Sequence, residues 1–135
     1  MDQRDIDNMF DCISNIFNEE FDSIKSININ FYTKCSMMNK LLSENKDKHS
    51  MLSQKKYEYI NISKVLEKKL NLSKIIIQKH KNDKIEASIE QLKHNIYQNE
   101  LMIKLYESVL IRYLNLISSF KKRIDEYYYI ERLNN

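Results

Sequence analysis

The residues in this chain that could do chemistry are few and scattered. Its three histidines, His49, His80 and His94, stand far apart, and two of them fall in wholly polar stretches. None belongs to a His-x-x-x-His or Glu-x-x-His pair, the spacing that puts two metal ligands on one helix face. A hydrolase serine stands on a glycine elbow, and this chain has no glycine. The same lack removes the backbone cradles of nucleotide sites. Cys35 has no histidine near it in sequence to serve as its base, and Cys12 and Cys35 are too few for a disulfide framework or a tetrahedral zinc site. The expectation is no catalytic, cofactor-binding or metal residues: not an enzyme, with no small-molecule substrate and with two reduced thiols.

The chemistry that remains is recognition, and three groups could carry it. Residues 34–84 hold thirteen basic side chains against Glu44, Asp47, Glu58, Glu67 and Asp83, enough to draw a phosphate surface, nucleic acid or anionic membrane. Their spread around the helix and the lack of interleaved aromatics argue against nucleic acid. An internal use is simpler, because residues 2–24 carry seven acidic side chains against Arg4 alone, and the two segments could lie together. Tyr127, Tyr128, Tyr129 and Ile130, after Lys121-Lys122-Arg123, form an aromatic end suited either to docking or to closing a packed seam. Asn99 stands on an otherwise apolar ladder, where a buried amide selects register and an exposed one does nothing.

That ladder is the element that must position everything else. Seven-residue steps give Ile89, Ile96, Ile103, Leu110, Ile117 and Ile124, and a second series runs Ile85, Leu92, Asn99, Tyr106, Tyr113, Phe120 and Tyr127. Interleaved, they alternate by four and three, the heptad pattern of a long helix with a packing seam. About a dozen large apolar side chains at roughly 1.5–3 kcal/mol each would forfeit on the order of 20 kcal/mol in water, so other helices must cover the seam. A hairpin of residues 50–78 against 84–131 leaves about 30 Å of the longer helix bare at 1.5 Å per residue. Either the first arm folds back along it or another chain does.

Composition agrees with continuous helix. Hydrophobic residues make up 42% and charged residues 30%, too apolar for intrinsic disorder, and glycine and proline are both absent. The first arm has apolar positions Ile6, Phe10, Ile13, Phe17, Phe21 and Ile24, with Asp2 or Asp5 as its cap. Residues 26–33 alternate weakly and are read as helix with a kink at Asn28 to Asn30. The polar run Ser43–Ser50 is the first expected turn. A second helix then places Leu52, Tyr59, Leu66 and Ser73 at heptad spacing, with Ile62, Leu70 and Ile76 between them. Residues 78–84 are polar again, and Asp83 with Glu86 has capping-box spacing, so a second turn is preferred to a stutter.

The expected fold is therefore all-α: one domain over 1–135, an elongated bundle or hairpin of segments 3–44, 50–78 and 84–131 with a coiled-coil-like last helix. No window reaches the roughly 20 apolar residues of a membrane span, and Met1-Asp2-Gln3-Arg4-Asp5 lacks the start of a secretory signal, which together suggest an intracellular protein, cytoplasmic or nuclear. The expected function is structural. The seam Ile89, Leu92, Ile96, Asn99, Ile103, Tyr106, Leu110, Tyr113, Ile117, Phe120, Ile124 and Tyr127 would join other helical chains in a homo- or hetero-oligomer. Subunits built this way serve kinetochore and spindle attachment, vesicle tethering, coactivators and viral scaffolds, an analogy of fold alone. The competing expectation is a charge-driven module whose basic middle engages nucleic acid or an anionic membrane.

Overall fold

The computed structural model describes residues 2–134 and is an all-α bundle of three helices, α1 (Gln3–Ser26), α2 (Phe31–Lys79) and α3 (Asp83–Asn134). Among the described residues there is no strand, and no helix is long and apolar enough to cross a membrane.

With no glycine to end a helix, polar side chains mark the boundaries. The Asp2 carboxylate accepts from the Asp5 N–H at 2.9 Å, and the Asp5 carboxylate accepts from the Asp2 N–H at 3.3 Å, a reciprocal box built from two aspartates. Asn30 starts α2, its Oδ1 accepting from the Thr33 N–H at 2.8 Å and from the Thr33 hydroxyl at 2.9 Å. Asn82 starts α3, accepting from the Lys84 N–H at 2.8 Å. No described residue has a positive φ, so both connections are made from ordinary right-handed and extended backbone.

Of the two polar runs read as turns, only the second divides helices. The first break is at residues 27–30, where a kink within helix is expected, and the turn expected at Ser43–Ser50 is unbroken helix inside α2. The run is polar, but its glutamate and lysines are good helix formers and nothing in it stops a helix. Its seam positions, Asn45 and His49, are also occupied: Asn45 is buried and His49 half-buried against α3. The second break is a turn at residues 80–82, with Asn82 rather than Asp83 as its cap; Asp83 and Glu86 lie in the first turn of α3, where acid suits the helix dipole. The helical segments are thus 3–26, 31–79 and 83–134.

Packing divides the chain into two compact units, Met1–Ser50 with Val109–Asn135, and Met51–Ser108. The first is a three-helix bundle. Along its α1–α3 interface Phe10 meets Tyr113, Phe17 meets Phe120 and Phe21 meets Tyr127, so these helices run parallel. Along α2–α3 the order reverses, with Cys35 at Tyr128, Asn45 at Tyr113 and His49 at Leu110. The core centres on Phe17, stacked on Phe120 with ring centroids 3.7 Å apart, and on Met38, Tyr113 and Ile124, all fully buried. Arg112 lies over the Phe10 ring at 4.6 Å and Arg123 over Phe21 at 4.7 Å, so two guanidinium groups roof the aromatic layer.

The second unit is a two-helix hairpin. Its packed positions, Leu52, Lys56, Tyr59, Ser63, Leu66, Leu70, Ser73 and Ile77 on α2, alternate by four and three. They face Ile85, Ile89, Leu92, Ile96, Asn99, Ile103 and Tyr106 on α3, spaced the same way. Cross-helix pairs set the register: Tyr59 against Tyr106 at 5.5 Å between centroids, and Lys56 against Glu107 at 3.7 Å. Two helices shield each other poorly. Among the described residues of this unit, Ile89 is the only fully buried hydrophobic side chain.

Candidate functional site

The seam residues read from the sequence all lie on the inner side of α3, and the helices that cover them belong to the same chain. Leu110, Tyr113, Ile117, Phe120, Ile124 and Tyr127 are buried in the three-helix unit. In the hairpin, Ile89 and Asn99 are buried, while Leu92, Ile96, Ile103 and Tyr106 are half-buried. The first arm does fold back: α1 lies along residues 112–127.

Polar residues punctuate this seam. Asn99, 8% exposed, donates its amide N–H to the Tyr59 carbonyl at 2.6 Å and to the Ser63 hydroxyl. Of the two roles open to it in the sequence, the buried one is what the structure shows. In the other unit the Tyr113 hydroxyl, buried to 1% exposure, donates to Asn45 Oδ1 at 2.8 Å, and Asn45 donates to the Leu41 carbonyl at 2.9 Å. Burial pushes the Tyr113 phenol above the usual tyrosine value. His49 Nε2 lies 3.2 Å from the Leu110 carbonyl oxygen.

The aromatic end splits. Tyr127 closes the seam, and Tyr128, half-buried, donates its hydroxyl to the Cys35 carbonyl at 3.0 Å and to Asn39 at 3.1 Å. Burial first, then the adjacent Cys35, pushes the Tyr128 phenol up to about 12. Tyr129 and Ile130 are exposed.

Charge is distributed differently from the sequence expectation. The ion pairs of α1 go to arginines of α3 rather than to the lysines of the basic middle: Asp7 with Arg112, and Asp22 with Arg123 at 3.9 Å. The Arg112 hydrogen bond, helped by Gln3, holds the Asp7 carboxyl below the usual carboxylate range. The lysines of α2 are left facing outward, with Lys55, Lys68, Lys69 and Lys79 exposed and without an ion-pair partner among the described residues.

The groups that could have been catalytic stay apart. Cys12 is exposed and Cys35 half-buried, His80 and His94 are exposed, and the described residues hold no cluster of three His, Cys, Asp or Glu side chains.

What stands out is an apolar stripe facing away from the seam. On the hairpin part of α2, Ile62, Val65, Leu72 and Ile76 are about half or more exposed, Leu72 to 61%, with Ile75 beside them. Ile62, Val65, Lys69, Leu72 and Ile76 step by three and four, so they share one face of the helix. This corrects the sequence reading of Ile62 and Ile76 as packed positions. The packed residues are their neighbours Ser63 and Ile77, one step round the helix. The signal was present as a second, offset heptad series, but the polar Ser63 in the true seam made it look like the first.

No family model matches the chain, and comparison with curated proteins and with solved structures finds no match.

Proposed function

We propose that this protein is a non-enzymatic assembly subunit that binds another helix on the outer face of the hairpin. The single observation that carries this is the exposed stripe Ile62, Val65, Leu72 and Ile76. Scattered apolar residues on a surface are ordinary, but a row at helical spacing on a two-helix unit is the face a third helix covers. The α3 seam, which the sequence offers as the interface, contributes by holding α2 in place so that this face points outward. The assignment therefore moves from α3 to α2 while the class of partner, a helical chain, stays the same.

Support also comes from the other unit of the same molecule. There the α2–α3 pair has its third helix, α1, and the residues under it are buried. A helical interface of this kind takes its energy from apolar side chains inserted between those of the partner, each worth roughly 1.5–3 kcal/mol on full burial.

The test is substitution on the stripe. Ile62→Glu with Leu72→Glu should leave the helical circular dichroism intact and remove binding of an apolar dye that the wild type takes up. It should also abolish association with helical chains, whether a second copy seen by sedimentation or a different chain co-purified from the native source. Association that survives the double substitution overturns the reading. So does a wild type that binds no dye and stays monomeric and alone.

A further inference from the structure

We infer that the helix received by the hairpin is acidic and amphipathic, contributed by a different protein; this rests on the assembly reading above and names the partner's chemistry. The stripe of Ile62, Val65, Leu72 and Ile76 includes Lys69 and is bordered by Lys55, Lys68 and Lys79, and Glu58 is the one acid on that side of α2. Over residues 51–79 there are seven lysines against Glu58 and Glu67. A surface that is apolar along its middle and cationic along its edges complements a helix that is apolar along one side and anionic beside it.

The molecule already contains a pairing of this kind. In the three-helix unit α1 inserts Phe10, Phe17 and Phe21 against α3 while Asp7 and Asp22, flanking that apolar side, pair with Arg112 and Arg123. Seven-residue steps along α2 lead from buried Leu41 through Lys48 and Lys55 to exposed Ile62 and Ile76. The stripe is thus the position of a third helix, and the charge around it selects an acidic one.

A second copy of this chain fits the same surface less well. Two hairpins facing each other through these stripes would bring their lysines together, with Glu58 as the nearest acid on each, and like charges across an interface count against it. An anionic membrane also fits less well. The stripe is aliphatic, and residues 51–79 contain neither tryptophan nor phenylalanine, which with leucine are the side chains that seat an amphipathic helix at a lipid boundary.

The probes are two designed 25-residue amphipathic peptides with the same leucine and isoleucine face, one with glutamate and one with lysine at every flanking position, each carrying a fluorophore. They are titrated with the full chain and followed by anisotropy. The glutamate peptide should bind at least tenfold more tightly than the lysine peptide. Ile62→Glu with Leu72→Glu should abolish that binding, and Lys55→Glu with Lys68→Glu and Lys69→Glu should reverse the preference. If the two peptides bind equally, the acidic partner is wrong while a helix-binding stripe stands. If neither binds and sedimentation shows a dimer that the Ile62 and Leu72 substitutions dissociate, the occupant is a second copy and only the present inference falls. If neither binds and the chain stays monomeric, the assembly reading falls with it. If the chain instead binds vesicles rich in phosphatidylserine, or duplex DNA, through the lysines and independently of Ile62 and Leu72, charge alone drives binding and the inference is overturned.

Discussion

Asn99 is the residue on which the hairpin's register depends. Its amide finds the Tyr59 carbonyl and the Ser63 hydroxyl across the interface, and a shift of one heptad would put Leu70 or Lys56 in place of Ser63 and remove the hydroxyl partner. A buried amide of this sort costs stability in the correct register and costs more in every wrong one. Asn99→Leu is therefore expected to raise stability to urea by about 1 kcal/mol, and Asn99→Asp, which buries a carboxylate against a carbonyl oxygen, to lower it by about 2 kcal/mol. Opposite expectations at one side chain make the pair a sharp test: if both variants unfold with the wild type, the amide is not buried in solution.

Tyr128 carries the pH dependence at the same scale. Its phenol titrates near 12 in the fold, against about 10 in an unfolded chain. The folded form holds its proton more tightly, so this group adds stability that is complete below pH 10 and is lost as pH rises from about 10 to about 12. Urea midpoints measured across that window should fall less steeply in Tyr128→Phe than in the wild type. A variant that tracks the wild type would show that the Tyr128 phenol is not buried in the fold.

At the scale of elements, the helix faces and the turn at residues 80–82 were legible in the sequence, and the break at residues 27–30 was not. The series from Ile89 to Ile124 and the positions from Ile6 to Ile24 give the right faces, because an apolar side chain at helical spacing has one way to leave water. The breaks were harder, because without glycine or proline every connection is built from asparagine and extended backbone. Asn occurs throughout this chain, so the caps at Asn30 and Asn82 look like any other Asn. Conversely, the polar run Ser43–Ser50 looks like a turn because what it buries, Asn45 and His49, is polar and finds its partners on α3, far away in sequence. The exposed stripe was hidden for a related reason: a single helix with two apolar series cannot say which of them its neighbour covers. Asn30→Ala tests the cap directly. It removes both bonds to Thr33 and should cost about 1 kcal/mol in thermal or urea unfolding; no loss would mean that α2 begins elsewhere.

At the scale of the whole molecule, the two units differ in how completely they satisfy their own apolar side chains. The three-helix unit encloses stacked rings and buried aliphatic groups and roofs them with arginine, so its chemistry is finished. The hairpin holds its register through Asn99, Ser63 and a tyrosine pair, yet leaves Ile62, Val65, Leu72 and Ile76 exposed. In the first unit two acids of α1 answer two arginines, while Lys55, Lys68, Lys69 and Lys79 of α2 remain exposed.

The parallel pairing of α1 with α3 also sets an order of events during synthesis. α1 leaves the ribosome well before the part of α3 that it contacts, since Asp7 waits for Arg112 and Phe21 for Tyr127. At about 5–20 residues per second, the phenylalanines of α1 spend roughly 5 to 20 s with their eventual neighbours still untranslated. A nascent chain stalled before residue 109 would display those rings to chaperones, and one released after Tyr127 would not.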